Sequence, residues 1–471
     1  MTTLIQFGTS GYRGILGESF TATHVNLISD AIAQWMHAHG LSRLFIGYDP
    51  RRGNSLDEAS LVRSAASVLI AHGIDVMLSE TPVPTPLVSW AVRYGGFHGG
   101  LIFTASHNPP EYNGIKFNPP PGGPAMTDVT SAIEALIGVG SPPSNRNLGP
   151  ITTGSLLAPF GEYLRGYVRQ LGYGEGGLPI IVDARHGTAG PLWRWIDGSG
   201  GVVIQDLLHG DMRSDFGGLE PNPTDPNVID ELGKIVRERG ARFGVAHDPD
   251  TDRHGIVDNN GSPVSPEIIS AIVLLDWVQS GVNCDGIVST VASSGVARAM
   301  CDRLEKSYIE TPVGFKYFTP HFESARSRLI GVESSGGLSV SDYLFEKCGF
   351  LPALLLAGVS IRKNMSISML VEEVELIVGK RIFTEAKFSF DSSKRNDLMV
   401  QLRHLSALPG VPVASEVSRV DGTKWIYSDG SWILIRLSGT EPVGRIYCES
   451  FDDSTVRHWV RSALNWATQF E

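Results

Sequence analysis

A chain of 471 residues is too long for one hydrophobic core and implies about three or four domains of roughly 100–150 residues each. The formal net charge of −11 excludes a general affinity for nucleic acid or anionic membrane, while leaving local arginines free to hold an anionic substrate. The longest apolar run, near Leu351 to Ile361, is too short to span a bilayer, no secretory signal precedes Leu4-Ile5-Gln6-Phe7, and Cys284, Cys301, Cys348 and Cys448 lack metal-ligand spacing; the expectation is a cytoplasmic enzyme with reduced thiols.

In chain order, Phe7-Gly8-Thr9-Ser10-Gly11-Tyr12-Arg13-Gly14 combines turn-permitting glycines with an arginine able to lean over an anion. The spacing of Val25, Ile28, Ile32, Trp35 and Met36 predicts a helix from Thr21 to Gly40, and Leu44-Phe45-Ile46-Gly47 predicts a strand ending in Tyr48-Asp49-Pro50-Arg51. Ser55 and Glu58 read as a capping box opening a helix that ends at Gly73. A strand from Ile74 to Leu78 follows, and Thr85-Pro86 carries the N-cap and N1 signature of a short helix to Arg93. Such alternation predicts βαβ units on a mainly parallel sheet, with functional loops past the strands' carboxyl ends. The strand Leu101-Ile102-Phe103 opens such a loop, Thr104-Ala105-Ser106-His107-Asn108-Pro109, continuing through Asn113, Gly114 and Lys116. A serine hydroxyl needs activation to act as a nucleophile, and an adjacent imidazole and a nearby ammonium suit that task.

Pro142-Pro143-Ser144-Asn145 marks the expected end of the first domain. A helix around Phe160 to Leu171 starts the next. Gly172 to Gly177 matches a dinucleotide fingerprint by letter but follows a helix and precedes the strand Ile180-Ile181-Val182-Asp183, the reverse of the order a pyrophosphate site requires. Farther on, Phe243-Gly244-Val245-Ala246-His247 runs into Asp248-Pro249-Asp250-Thr251-Asp252-Arg253. Carboxylates at alternate positions of an extended loop turn to one side, where mutual repulsion calls for a hard divalent cation. A calcium loop is excluded, because Arg253 and Asn259 fill the positions of its glycine and its bidentate glutamate.

A third unit begins just past Gly255, with a strand from Ile287 to Val291 and a helix to about Leu304. The turn Thr311-Pro312-Val313-Gly314-Phe315-Lys316 carries a cation, and the strand Leu329-Ile330-Gly331-Val332 ends in Glu333-Ser334-Ser335-Gly336-Gly337, a carboxylate and hydroxyl suited to sugar hydroxyls. From roughly residue 372 the pattern changes to a smaller α+β unit. Trp425-Ile426-Tyr427 and Trp432-Ile433-Leu434-Ile435 flank Asp429-Gly430, a hairpin signal. The second strand leads into Arg436-Leu437-Ser438-Gly439-Thr440-Glu441-Pro442, with Arg445 close behind, a concentration of donors suited to phosphate.

Taken together, these motifs resemble the α-D-phosphohexomutase family, the phosphoglucomutase/phosphomannomutase enzymes. Thr104 to Pro109, continuing to Lys116, is similar to its phosphoserine loop, and Asp248 to Arg253 to its metal loop. Glu333 to Gly337 is similar to its sugar-binding loop, and Arg436 to Pro442 to its phosphate-binding loop. The resemblance spans the chain in family order. It implies three similar mixed-sheet α/β domains (1–149, 150–255, 256–371) and a smaller C-terminal α+β domain (372–471) around a central cleft. It also implies Mg2+ held by Ser106, Asp248, Asp250 and Asp252. Ser106, His107, Lys116, Arg13 and Arg253 would be catalytic. Lys316, Glu333, Ser335, Arg436, Ser438, Gly439, Thr440 and Arg445 would bind substrate. The expected substrates are hexose phosphates, glucose phosphate first and mannose phosphate second, with no nucleic-acid or membrane partner and a monomeric or weakly dimeric state. A metal-dependent sugar phosphatase and a non-catalytic sugar-phosphate sensor are the rival classes. Two departures stand out: Gly337, where many relatives have histidine or asparagine, and Cys348-Gly349, where Asp-Gly is common.

Overall fold

The computed structural model describes residues 5–8, 10–139, 151–174, 176–438 and 442–470. Among the described residues, four sheets divide the chain. The first runs Tyr12–Ile15, Tyr112–Asn118, Gly99–Phe103, Arg43–Tyr48, Asp75–Ser79, Thr152–Gly154. The second runs Pro263–Val264, His254–Val257, Phe243–His247, Leu178–Asp183, Val202–Leu208, and the third Ser307–Thr311, Cys284–Thr290, Arg328–Glu333, Gly337–Val340.

These three sheets share one plan. A central strand rich in consecutive apolar residues, as parallel strands buried on both faces require, pairs in parallel with two neighbours. One of those neighbours then folds back as an antiparallel hairpin. The three hairpin connections are residues 104–111, 248–253 and 334–336, the loops singled out by their chemistry. Each lies at the carboxyl end of its parallel strand, where side chains are free of the sheet and can converge on a cleft.

Helix starts differ from expectation at two places. The helix after the first strand pair is Leu61–Ala71, capped by Ser60, whose side chain accepts from Arg63 N; Ser55 instead donates to Asp57 Oδ2 at 2.9 Å. The chain is delayed because residues 49–54 are folded against the 104–112 loop by Arg51 and against the strand end at Phe103 by Asn54. Thr85 is the first residue of the helix Thr85–Arg93 rather than its cap. Its hydroxyl is directed away from the helix, to Asp250.

The sheets also divide the chain later than expected. Thr152–Gly154 pairs with Asp75–Ser79 in the first sheet, so residue 150 does not open the second unit. A boundary at 255 would cut through His254–Val257, and Pro263–Val264 still belongs to the second sheet. The helix Ile367–Val378, with Ile367, Leu370 and Val374 buried, packs into the core of the third unit past residue 371. The Pro142–Asn145 stretch lies outside the described residues.

One apolar core runs through the second and third units and takes in Leu87, Val88 and Ala91 from the helix Thr85–Arg93 of the first. At about 1.5–3 kcal/mol for each large apolar side chain buried, this shared core presses the three units together. The last sheet is wholly antiparallel, Ile382–Ser389, Val443–Ser450, Trp432–Leu437, Thr423–Ile426, Glu416–Ser418, with the Asp429-Gly430 turn between two of its strands. It has its own core and meets the third unit through Trp432, Leu434 and Tyr447 against Val291 and Ala292. Buried Glu449 adds to this junction, accepting from Gly295 N at 3.0 Å and from Arg381 at 3.1 Å. Among the described residues, no single helix is long and apolar enough to cross a membrane.

Candidate active site

Ser106 sits in the left-handed region at φ 53°, with its side chain buried. A non-glycine residue holds this conformation only where its surroundings impose it. Here the means are visible. Arg51, fully buried, is paired with Asp49 at 2.8 Å and donates to the carbonyls of Ser106 (2.7 Å), Pro109 (3.1 Å) and Tyr112 (2.7 Å). Thr104 Oγ1 donates to Asp49 Oδ2 at 2.7 Å and accepts from Ser106 N at 2.8 Å. Arg51 also lies against the Phe216 ring, 5.0 Å from its centroid, so the second unit helps to hold the loop. Replacing Arg51 by methionine leaves Asp49 buried without its charge partner, and unfolding in urea is expected to show a loss of about 3–5 kcal/mol. A loss below about 1 kcal/mol would mean that the loop is held by other means.

The Ser106 hydroxyl donates to Asp248 Oδ2 at 2.8 Å and lies 3.3 Å from His107 Nδ1. Two loops separated by 142 positions in sequence thus meet at one oxygen. Asp248, Asp250 and Asp252 are all buried, and each offers an oxygen within 4.8 Å of the others. Their loop is held from every side. Thr85 N donates to Asp250 O at 2.8 Å, Thr188 N to Pro249 O at 2.9 Å, Gly349 N to Thr251 O at 3.0 Å and His254 N to Gly336 O at 2.9 Å. A side chain at Gly349 would meet Arg253 O at 2.5 Å, which accounts for glycine there.

Cations surround the triad. Lys116 Nζ pairs with Asp250 at 2.7 Å and Asp252 at 2.9 Å, and Lys347 Nζ with Asp252 at 3.0 Å. Thr85 Oγ1 donates to Asp250 Oδ2 at 2.7 Å. Burial and the two neighbouring carboxylates push Asp248 well above the usual carboxylate range. Burial acts the same way on Asp250 and Asp252, but Lys116, joined at Asp252 by Lys347, holds both below it. Burial works against the Lys116 ammonium, yet Asp250 and Asp252 keep it above its ordinary value. Arg253, with burial and Arg13, pushes His107 down to about 2, leaving its ring neutral.

The donor set fits a divalent cation. Three carboxylates converge, Asp250 Oδ1 is buried without a hydrogen-bond partner, and Asp252 Oδ1 has none either, with only Arg253 Nε near it at 3.8 Å, an arrangement that is costly unless a further positive charge faces it. A place for an anion is also indicated. Arg13, fixed by Asn108 Oδ1 at 2.8 Å and Ser10 Oγ at 3.2 Å, is pushed down by burial and by Arg253. Cations crowded in this way around a serine hydroxyl suit a phosphate.

Glu333, at the end of its strand, is buried and raised by that burial, with Lys347 and Arg253 as its neighbouring cations. Ser335 is half-buried in the adjoining turn. Lys316 lies over the Tyr317 ring at 5.4 Å and is lowered by burial. In the last unit Arg436 Nε pairs with Asp421 Oδ2 at 2.6 Å and Arg445 Nη1 with Glu385 at 2.5 Å, so both guanidiniums are engaged by their own unit's carboxylates rather than by the Ser106 cluster. Ser438 N donates to Val443 O at 2.9 Å, and Ser438 O accepts from Arg395 at 2.7 Å. Gly439 and Thr440 lie outside the described residues.

Sequence reasoning missed the parts played in the site by Asp49, Arg51, Thr85 and Lys347. The Asp49-Pro50-Arg51 strand end carried a usable signal, a charged pair where a buried strand stops. Lys347 had none locally. The departure at Gly337 bears on it: a Cβ there would meet Lys347 Cδ at 2.7 Å, so the missing side chain makes room for the lysine stem.

Comparison with known proteins agrees with this four-unit fold. Four family models match in order: phosphoglucomutase/phosphomannomutase alpha/beta/alpha domain I over 4–141, domain II over 162–261, domain III over 265–376, and the C-terminal domain over 393–464. A phosphoglucosamine mutase of Methylobacterium radiotolerans is 30% identical, over 98% of this chain and 98% of its own. A phosphoglucomutase of Komagataeibacter xylinus is 28% identical, over 96% of this chain and 88% of its own. The solved structure of a phosphoglucomutase/phosphomannomutase family protein from Burkholderia thailandensis, 22% identical, superposes with a TM-score of 0.82 over 100% of this chain and 99% of that one. With its four units, its hairpin loops and a relative matched from end to end, the chain belongs to the phosphoglucomutase/phosphomannomutase family and is an enzyme of that phosphate-transferring isomerase class.

Proposed function

We propose that the protein interconverts hexose 1-phosphate and hexose 6-phosphate, glucose phosphate foremost, through a phosphorylated Ser106 and a sugar 1,6-bisphosphate. The observation that carries this reading is the 2.8 Å bond joining the Ser106 hydroxyl to the metal-loop carboxylate of Asp248. A phosphoryl group on that oxygen would lie between the carboxylate triad and the cations Arg13, Arg253 and Lys116. Asp248, Asp250, Asp252 and the phosphorylated Ser106 would hold Mg2+, which when bound offsets the phosphate's charge and polarises its phosphorus.

Phosphoryl transfer asks the protein mainly for position and charge. Glu333 and Ser335 accept and orient sugar hydroxyls. As the bond from phosphorus to the sugar oxygen forms, the bond to Ser106 Oγ breaks, the sugar hydroxyl loses its proton and the serine oxygen regains one. Lys116, held charged by Asp250 and Asp252, can donate a proton, and His107, 3.3 Å from Ser106 Oγ, is the second candidate carrier. The bisphosphate then turns and returns its other phosphate to Ser106. Arg436, Ser438, Gly439, Thr440 and Arg445, with Lys316, would hold the phosphate that is not reacting. A distal grip of this kind serves a mutase and has little use in a phosphatase.

The test is a coupled assay with the 1-phosphates of glucose, mannose and glucosamine, each primed with its 1,6-bisphosphate. Glucose 1-phosphate is expected to be converted fastest, giving glucose 6-phosphate without accumulation of inorganic phosphate. Inorganic phosphate released in step with substrate loss would identify a phosphatase, and faster turnover of mannose or glucosamine phosphate would reassign the sugar.

A further inference from the structure

Arg436 and Arg445 are direct cross-strand partners on Trp432–Leu437 and Val443–Ser450. Residues so opposed share one face of the sheet, and like charges there destabilise it unless each is balanced. Each is balanced by a carboxylate, but the two carboxylates differ. Glu385, which takes Arg445, lies on the neighbouring strand Ile382–Ser389 of the same sheet. Asp421, which takes Arg436, lies just before the strand Thr423–Ile426 and also accepts from Val313 N at 3.0 Å. Val313 belongs to the third unit, in the turn that carries Lys316. One carboxylate oxygen therefore touches both the guanidinium and the backbone of the facing unit.

Geometry at the guanidinium is equally pointed. Among the described residues only Nε of Arg436 is engaged, so its two Nη groups keep the planar edge that grips a phosphate in bidentate fashion. The pair is mostly buried, with side-chain exposures of 15% for Arg436 and 24% for Asp421, which sets it apart from surface ion pairs. We propose that Asp421 is a positioning residue: it aims the Arg436 guanidinium at the non-reacting phosphate of the substrate and ties that grip to the turn bearing Lys316. The inference rests on the reading of Arg436 as a phosphate grip.

The experiment is a double-mutant cycle in the full-length enzyme, measuring KM and kcat with the hexose 1-phosphate turned over fastest, alongside thermal melting. Asp421→Ala is expected to raise KM about tenfold with kcat changed less than about threefold. Asp421→Asn keeps the one oxygen for both Val313 N–H and Arg436 Nε but removes the charge, and is expected to raise KM less than Asp421→Ala does, by about threefold; it decides the matter if Asp421→Ala does not fold. In an Arg436→Ala background, Asp421→Ala should change KM by less than about twofold, because the group it positions is already gone. Full multiplication of the two KM penalties would overturn the proposal, as would an unchanged KM in both Asp421 variants while Arg436→Ala raises it. An Arg436→Ala enzyme with unchanged KM would instead overturn the phosphate-grip reading itself.

Discussion

Replacing Ser106 by alanine is expected to lower mutase turnover by at least about 10⁴-fold, because on the proposed mechanism its oxygen stores the phosphoryl between half-reactions. Lys116 and His107 remain, and the metal-loop carboxylates keep their cation partners, but none of these can form the stable ester that returns phosphate to the sugar. The fold should survive. Ser106 Oγ makes one strong bond, to Asp248, and the left-handed turn is imposed by Arg51 through the backbone rather than by the hydroxyl. Chemical denaturation should therefore change by no more than about 1 kcal/mol. Intact-mass measurement of the purified enzyme after incubation with the sugar bisphosphate should find one phosphoryl group on the native chain and none on the variant. Retention of more than about 1% of turnover by a folded Ser106→Ala enzyme would defeat the mechanism, since phosphoryl storage accounts for the whole reaction rather than for a share of it.

The loops proposed to carry this chemistry were legible in the sequence because each lies at the end of an apolar strand and is dense in one kind of group. Asp248, Asp250 and Asp252 fall at alternate positions directly after an apolar strand, although they converge through a turn, with Thr251 at φ 54° and its N–H donating to Asp248 O at 2.9 Å, rather than along the extended segment expected; Ser106 likewise follows Leu101-Ile102-Phe103. Local pattern decides such features, so local pattern reveals them. That all three loops are turns of equivalent hairpins was not legible, because strand pairing is set by partners far away in sequence. Long-range contacts also displaced the helix starts. Thr85 reads as a cap by letter, but its hydroxyl goes to a carboxylate 165 positions downstream. Ser55 and Glu58 have the spacing of a capping box, but Arg51 holds the preceding segment against the Ser106 loop and Asn54 holds it against the strand end at Phe103. Lys347 was invisible for the opposite reason. Its stem runs where a side chain at Gly337 would stand, and an absence has no motif.

Asp248→Asn should separate the triad's part in catalysis from its part in folding. In the metal-free protein three buried carboxylates face two ammonium groups, and burial together with Asp250 and Asp252 drives Asp248 toward its neutral form. Asparagine keeps that shape, its oxygen accepting from Arg253 N and its amide donating to the Ser106 oxygen, and removes the repulsion, so the metal-free variant is expected to melt no lower than the metal-free wild type. Magnesium should distinguish them. A cation bound only by the folded wild type stabilises it by RT ln(1 + [L]/Kd), about 2.7 kcal/mol when magnesium is a hundred times its dissociation constant. The variant, short of one charge, should show little of that rise, and its turnover should fall by about 10³-fold or more, matching the about 4 kcal/mol that one well-placed electrostatic group supplies to a transition state. Chelation of the wild type should abolish turnover, and added magnesium should restore it. If Asp248→Asn kept the full magnesium-dependent rise in melting temperature, the cation would be held elsewhere. The Asp250 oxygen that lacks a hydrogen bond would then need another partner.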